Sequence, residues 1–585
     1  MTAESMIKLL KEALGSRELV QSFSGVRTSF GGGPDISDAN RILAVAYGFA
    51  YSHQMLQGLR EATFLLGRDP RPTGEALVAA LAEGFQAGAS AAGCHLCVLD
   101  MGIITTPILQ TAVRVLKAAG GAMVTASHNP LKDNGFKFLT GVRAVRPNDA
   151  PAGALLSASA MADVVEKVKH IAYKQANDFI RFAGKQRNEQ SRVEDPMERV
   201  KAERGYLDAV GRQWGIAPHC LKPLTLGPVL LDPNGGAACG IGARVLEHFG
   251  VRAIEENAEI GYPEHSIDTD GIDASSGRHT LLRVARAALR RHARFGIAFD
   301  YDADRGNIVL PGLDESAIIE PQTVAAMNIA LALAHRKISG NVGGKVAVVV
   351  SDATSGMSER IARMFGSDIF MVETGEINVV TRMHQLRREG YDVPVGVEGA
   401  NGGTVFGEST CRDGLNTAIC AALSDENQSL AEQWIRTLAQ NGLNASAEDP
   451  HRLPALLATI PRHFTRMLRV EGPDMPHGEI KARMEHHFTH SAWPELSGLY
   501  QSYQFANYEG TSYVEKRSGD ETGGWRVELK ADDGKAFIFA RGSRTEAGVW
   551  RLIVDDPNFE RGTRLLDAGI SMMRAAVGSD LHLSG

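Results

Sequence analysis

At 585 residues the chain is too long for one hydrophobic core, so three or four domains are expected. Apolar residues make up 44% and charged residues 22%, ordinary proportions for a globular protein, and the formal net charge is −7. No dense basic stripe occurs, which argues against nucleic acid, and no apolar run approaches the ~20 residues that span a bilayer.

The N-terminal residues include acidic ones and lack a signal-peptide hydrophobic block. The six cysteines are scattered, which favours a reducing cytoplasm over a disulfide scaffold. The first strand is expected over 64–66, followed by the loop Gly67-Arg68-Asp69-Pro70-Arg71-Pro72-Thr73-Gly74 and a helix from Glu75 towards Gly88. Cys94-His95-Leu96-Cys97 could be a redox pair or half a zinc site. Cys220, Cys239, Cys411 and Cys420 provide no second close pair, however, and 96–99 reads as a buried strand holding core cysteines.

The small apolar run 121–124 leads into Thr125-Ala126-Ser127-His128-Asn129-Pro130. A serine in a tight turn at a strand end can be an exposed nucleophile, and the proline stiffens the turn. An ordinary turn capped by Ser127 and Asn129 fits the same residues. Lys137 follows shortly and can return a cation to the same pocket. The Glu- and Arg-rich stretch 185–204 is expected to be a solvated insertion.

A second strand, loop and helix begins at 229–231 and ends near Gly250, with Asp232-Pro233-Asn234-Gly235-Gly236 as the loop. The apolar run 295–299 then meets Asp300-Tyr301-Asp302-Ala303-Asp304-Arg305. An extended segment throws three alternating carboxylates to one side, and oxygen ligands suit Mg²⁺ or Ca²⁺. Arg305 adds an anion-binding fork, so phosphate chemistry is indicated; a solvated acidic turn is the alternative.

A third unit runs from strand 346–350 through loop 351–356 to a helix ending near Gly366. Repeated strand–helix units argue for mostly parallel α/β sheets in three related domains. Gly396-Val397-Glu398-Gly399-Ala400-Asn401-Gly402-Gly403 offers a carboxylate and an amide suited to sugar hydroxyls, although such loops also serve as turns. The polar stretch 424–450 is expected to be a second insertion or linker. Beyond it, 525–529, 536–540 and 549–554 read as antiparallel strands and 562–577 as a covering helix. The turn Arg541-Gly542-Ser543-Arg544-Thr545-Glu546 could cradle a phosphate.

Together these segments resemble the α-D-phosphohexomutases, which include phosphoglucomutases, phosphomannomutases and phosphoglucosamine mutases. The serine and aspartate motifs, the sugar loop and the phosphate loop stand in the family's order, and 67–74 is similar to the family's Gly-Arg-Asp-x-Arg-x-Ser/Thr-Gly element. The expected fold is α/β: three related mixed/parallel-sheet domains plus a C-terminal α+β domain around a central cleft. The expected ranges are 1–205 with the phosphoserine loop, 206–318 with the Mg²⁺ loop, 319–445 with the sugar loop, and 446–585 with the phosphate loop.

The resemblance implies that Ser127 carries the phosphoryl group and that Asp300, Asp302 and Asp304 bind one Mg²⁺ together with it. Arg305 would touch the phosphate. His128, Lys137 and Arg27 would surround the reaction centre, Lys137 as the candidate for proton transfer. Glu398 and Asn401 would meet the sugar, and Arg541, Ser543 and Thr545 the non-reacting phosphate. A hexose 1,6-bisphosphate would be both intermediate and activator, and the enzyme would be a cytoplasmic monomer or homodimer acting on glucose or mannose phosphates. A phosphoglucosamine mutase, a hexose-bisphosphate synthase, a phosphatase and a non-catalytic sugar-phosphate-binding protein are the alternatives. The departures are a longer sugar loop lacking the family's Ser or His, no Lys in Val372-Glu373-Thr374-Gly375-Glu376-Ile377-Asn378, Ala547 where Pro is usual, and Thr125 where many phosphoglucosamine mutases have Ser.

Overall fold

The computed structural model describes residues 2–143, 150–174, 177–183, 192–221, 227–267, 272–273, 278–340, 344–443, 452–517, 523–543, 548–578 and 581–584. The chain divides into two units, Met1–Ile318 with Glu408–Ile419, and Ile319–Gly407 with Cys420–Gly585.

The first unit opens with α1 (Ala3–Leu14), β1 (Val20–Ser22), β2 (Gly25–Ser29) and α2 (Asp38–Met55). Alternating elements follow: β3 (Glu61–Arg68), α3 (Gly74–Ala92), β4 (His95–Ile103), α4 (Thr106–Val115) and β5 (Gly120–Val124). Then come β6 (Asp133–Thr140), α5 (Ala158–Tyr173), α6 (Asn177–Ala183), β7 (Val193–Glu194) and α7 (Pro196–Trp214). The seven strands form one sheet in the order β1-β2-β6-β5-β3-β4-β7. It is parallel from β5 through β3 and β4 to β7, and antiparallel from β5 through β6 and β2 to β1. Every residue of β5 is buried, as a strand covered on both faces requires.

The same unit continues through β8 (Val229–Asp232), α8 (Ile241–His248), β9 (Ala253–Glu255), the pair β10 (Ile272–Asp273) and β11 (Arg278–His279), α9 (Leu282–Arg290), β12 (Phe295–Phe299) and β13 (Gly306–Val309). Its second sheet has the order β13-β12-β8-β9.

In the second unit, α10 (Pro321–Ile338), β14 (Lys345–Ser351), α11 (Gly356–Met364), β15 (Asp368–Val372), α12 (Glu376–Arg388), β16 (Tyr391–Glu398) and β17 (Gly403–Phe406) give a sheet ordered β15-β14-β16-β17. The chain then forms α13 (Gly414–Glu426), α14 (Gln428–Gln440), α15 (Leu453–Ala458), β18 (Phe464–Glu471), α16 (His477–His487) and α17 (Trp493–Leu496). The last elements are β19 (Ser502–Phe505), the hairpin β20 (Asn507–Glu509) and β21 (Ser512–Val514), β22 (Trp525–Ala531), β23 (Gly534–Gly542), β24 (Val549–Asp556), α18 (Phe559–Val577) and β25 (His582–Ser584). They build an antiparallel sheet ordered β19-β22-β23-β24-β18-β25, packed by α18. The mixed α/β character and the C-terminal α+β region match the sequence reading. Among the described residues no helix is long and apolar enough to cross a membrane.

Three readings need correction. Helix α3 passes Gly88 and is capped by Gly93 at φ 70°. Gly88 instead lets α2 approach, since a Cβ there would sit 2.5 Å from the Phe49 carbonyl oxygen. The stretch 424–450 is not merely solvated: within α14, Leu430, Trp434 and Leu438 recur at i, i+4 and are buried beneath a Gln/Glu-rich surface, while 444–450 lie outside the described residues. The described part of 185–204 forms β7 and the first half of α7, which buries Ala202 and runs through residue 205. Cys94 and Cys97 are free thiols on or beside β4, and burial pushes both above the ordinary thiol value.

Candidate active site

In the first unit, β5 ends at Val124 and β12 at Phe299, and the functional residues lie in the turns just beyond. Ser127 adopts φ 51°. Such a conformation costs a β-carbon-bearing residue about 1–3 kcal/mol and persists only where its surroundings impose it. They do. The Ser127 N–H donates to Thr125 Oγ1 at 2.8 Å, and that hydroxyl donates to Asp69 Oδ2 at 2.6 Å. Asp69 also accepts Arg71 Nε at 3.1 Å. The fully buried Arg71 guanidinium reaches the carbonyls of Ser127 and Asn129 at 2.7 Å, Pro130 at 2.5 Å and Asp133 at 2.8 Å. Thus the loop 67–74 fastens the serine turn.

The Ser127 hydroxyl donates to Asp300 Oδ2 at 2.8 Å. Asp300 also accepts the Arg305 backbone N–H at 3.0 Å and Arg305 Nε at 3.1 Å. Asp302 Oδ2 accepts Lys137 Nζ and Thr106 Oγ1, each at 2.9 Å. Asp304 Oδ2 accepts Arg412 Nη2 at 2.6 Å and Lys137 Nζ at 3.4 Å. All three aspartates are buried. Burial pushes the Asp300 carboxyl up, Asp304 pushes it further, and Arg305 opposes them. At Asp304 burial acts in the same sense, but Arg412, Lys137 and Arg305 overcome it and hold the carboxyl below the usual carboxylate range. Burial holds the half-buried His128 imidazole well below its ordinary value, helped by Arg305, Arg27 and Arg412, so it is neutral near pH 7. Arg27, on β2 opposite Gly135, is pulled below the ordinary guanidinium value by burial, and Asp302 and Asp304 oppose this.

The residues fit a hard divalent cation. One ligand oxygen from each of Asp300, Asp302 and Asp304 lies within 4.8 Å of the others. The Oδ1 atoms of Asp302 and Asp304 are buried without a hydrogen-bond partner among the described residues. Such oxygens are costly unless a cation takes them. The Ser127 turn, His128, Lys137, the three aspartates and Arg305 are thus brought together. Sequence reasoning missed Arg412 and Thr106, both far along the chain from their partners.

The second unit holds the other expected residues. Glu398 ends β16 and is buried. The loop after it is fixed by Ser351 Oγ, which accepts the Gly399 N–H at 2.9 Å, and by Gln322 Nε2, which donates to the carbonyls of Gly399 at 2.9 Å and Ala400 at 2.6 Å. Asn401 lies half-buried in that loop. Arg541 lies at the end of β23 and Ser543 just beyond it, and Ser543 donates its N–H to the Val549 carbonyl at 2.7 Å. Thr545 lies outside the described residues. An acidic neighbour was not foreseen: Glu373 Oε1 stands 3.8 Å from Arg541 Nη2. Glu373 also accepts the N–H groups of Gly510 at 2.9 Å and Gly523 at 3.1 Å. Burial pushes the adjacent Asp352 up to about 6, against Thr374, Arg541 and Arg526.

Residues 20–151 match "Phosphoglucomutase/phosphomannomutase, alpha/beta/alpha domain I" and residues 326–439 match domain III of the same family. The phosphoglucosamine mutase of an Arthrobacter species is 30% identical over 379 residues, covering 64% of this chain and 71% of the relative. The chain belongs to the α-D-phosphohexomutase family. The phosphoglucosamine mutase of Nocardia farcinica is 29% identical over 416 residues, 67% of this chain and 77% of the relative. A crystal structure of a phosphoglucomutase/phosphomannomutase family protein from Burkholderia thailandensis shares the fold with a TM-score of 0.64, at 19% identity over 96% of this chain and 98% of its own. As a phosphohexomutase the chain is an isomerase, an intramolecular phosphotransferase. Phosphohexomutases in general depend on Mg²⁺, and the buried aspartate triple is present for it.

Proposed function

We propose that this phosphohexomutase interconverts hexose 1-phosphate and hexose 6-phosphate, with glucose or mannose as the hexose, through phospho-Ser127 and a hexose 1,6-bisphosphate. The observation that carries the reading is the buried Ser127 hydroxyl, 2.8 Å from Asp300 within the aspartate triple. A hydroxyl oxygen of the substrate attacks the phosphorus, the bond from phosphorus to Ser127 Oγ breaks, and the proton lost by the attacking hydroxyl is matched by the one that Ser127 Oγ takes up as it leaves. The reverse transfer returns the other phosphate to Ser127. Asp300, Asp302, Asp304 and the phosphoserine would hold Mg²⁺, which supplies charge neutralisation to the phosphoryl oxygens. Arg305, Arg27 and Arg412 add positive charge there. Lys137, held by Asp302 and Asp304, is our candidate for the proton transfer, and His128 lies among the charges of Arg305, Arg27, Arg412 and Asp304.

Glu398 and Asn401 take sugar hydroxyls, and Arg541, Ser543 and Thr545 the non-reacting phosphate. We retain the domain ranges 1–205, 206–318, 319–445 and 446–585. A cytoplasmic monomer or homodimer acting on small hexose phosphates, with trace bisphosphate as activator, completes the reading; the six free cysteines support the reducing compartment.

The names of the Arthrobacter and Nocardia relatives favour glucosamine phosphate as a second reading. The test is a coupled assay of the Mg²⁺-loaded protein with glucose, mannose and glucosamine 1-phosphates side by side, each with trace bisphosphate. The largest kcat/KM assigns the sugar. Turnover of any of them must vanish in Ser127→Ala together with labelling of the protein by ³²P-bisphosphate; activity that persists in this variant would sink the reading.

A further inference from the structure

We propose that Tyr206 on α7 is a positioning residue for Arg412 and, through it, for the Asp304 carboxylate of the metal site. Only the activity readout rests on the mutase reading.

Arg412 lies in the segment Glu408–Ile419, which returns to the first unit after the excursion 319–407. Its Nη2 donates to Asp304 Oδ2 at 2.6 Å, while Asp304 Oδ1 has no hydrogen-bond partner among the described residues. One carboxylate oxygen is thereby held by the Arg412 guanidinium, and the other, which has only the longer ion pair to Arg305 Nε at 3.7 Å, can take the ion.

The adjacent residue anchors this geometry. Asp413 is buried, and its Oδ1 accepts the Tyr206 hydroxyl at 2.8 Å and the Asn416 N–H at 2.9 Å. Its Oδ2 accepts Ser409 Oγ at 3.0 Å. Two turns further along α7, Trp214 Nε1 donates to Asn416 Oδ1 at 2.6 Å. On α4, Arg114 donates to Thr410 Oγ1 and to the Glu408 carbonyl, each at 2.8 Å. The same helix begins with Thr106, which donates to Asp302. The segment is also seated on the metal loop itself, since the Gly414 N–H donates to the Ala303 carbonyl at 3.2 Å.

Removing the Tyr206 hydroxyl leaves a buried carboxylate one donor short, and the turn carrying Arg412 must shift to recover water or another donor. The polar stretch 185–204, which had no assigned role, thus supplies the start of the helix that aims Arg412. Arg412 repels a divalent ion at Asp304 and attracts a phosphoryl group. Loosening it should therefore tighten ion binding while slowing transfer. A general loss of structure would weaken both.

The experiment is a double-mutant cycle on the full-length protein with Mn²⁺ as the probe ion, its binding read by electron paramagnetic resonance. Wild type, Tyr206→Phe, Arg412→Ala and the double variant are compared, with thermal melts confirming that each is folded. We expect Tyr206→Phe to tighten Mn²⁺ binding at least about twofold and to lower kcat about threefold or more. Both effects should disappear in the Arg412→Ala background, as coupling requires. Trp214→Phe, which removes the indole N–H that donates to Asn416, should shift Mn²⁺ affinity in the same direction. Unchanged Mn²⁺ affinity in Tyr206→Phe, or the same effect with and without Arg412, would overturn the proposal. If wild type binds Mn²⁺ yet converts none of the three hexose phosphates, the mutase reading fails, and the Mn²⁺ cycle still decides the role of Tyr206.

Discussion

Arg71 Nη2 donates to the Ser127 carbonyl at 2.7 Å, so the residue that holds the nucleophile's backbone lies 56 positions before it. The other hydrogen bonds of the same buried guanidinium fix Asn129, Pro130, Asp133 and Asp69. Lysine cannot reproduce this planar fork. Arg71→Lys is therefore expected to lower kcat at least about tenfold with a smaller change in KM, because it releases Ser127 from φ 51° without touching the sugar loop. Steady-state kinetics with a melting curve checks this, and unchanged kcat would refute it.

Metal affinity should depend on pH. Burial and then Asp304 push Asp300 up to about 8, with Arg305 opposing. The folded, metal-free protein thus keeps a proton that the unfolded chain releases near the ordinary carboxylate value, so its stability falls as pH rises from about 4 to about 8. An ion must displace that proton. Apparent Mg²⁺ affinity should rise between pH 6 and 8 by up to about tenfold per unit. Titration calorimetry at pH 6, 7 and 8 tests this, and a flat affinity contradicts it.

Glu373 competes with any anion for Arg541, since it stands 3.8 Å from the guanidinium. Glu373→Gln removes the charge but keeps an oxygen that can accept a glycine N–H. The Ki of inorganic phosphate and the KM of the substrate should each fall about threefold or more, with kcat little changed. An increase in either constant would mean that Glu373 serves phosphate binding only by holding the 510 and 523 backbone.

A methyl group at Gly414 would sit 2.5 Å from the Arg305 carbonyl oxygen. Gly414→Ala should therefore displace the metal loop and destabilise the fold by about 1–3 kcal/mol. A melt in saturating Mg²⁺ and one in chelator should converge more closely than in wild type.

How much of the site was legible follows from sequence distance. Asp300, Asp302 and Asp304 share one strand end, and Ser127 and Lys137 flank a single turn, so local pattern sufficed. Arg412 reaches Asp304 across 108 positions, and Thr106 reaches Asp302 across 196. Arg412-Asp413-Gly414 stands at the start of α13, where such a pattern marks a helix start and carries no sign of the distant Asp304. Trp434 was hidden by its Gln- and Glu-rich neighbours, and Gly88 read as a helix end because a glycine needed for close packing looks the same in sequence as one needed for a cap. Glu373 could not be matched to Arg541, since Glu373 follows β15 in one sheet and Arg541 lies on β23 in another, and only the tertiary fold brings them within 3.8 Å.

The return of Glu408–Ile419 to the first unit sets a timetable for biosynthesis. When the aspartate loop leaves the ribosome, Lys137 and Arg305 have been made, but Arg412, which donates the shortest hydrogen bond to Asp304, has not. At about 5–20 residues per second, the 108 positions separating Asp304 from Arg412 correspond to several seconds or more of further elongation. During that interval the nascent chain carries an incompletely balanced acidic loop, which a cytosolic divalent ion could occupy before Arg412 arrives.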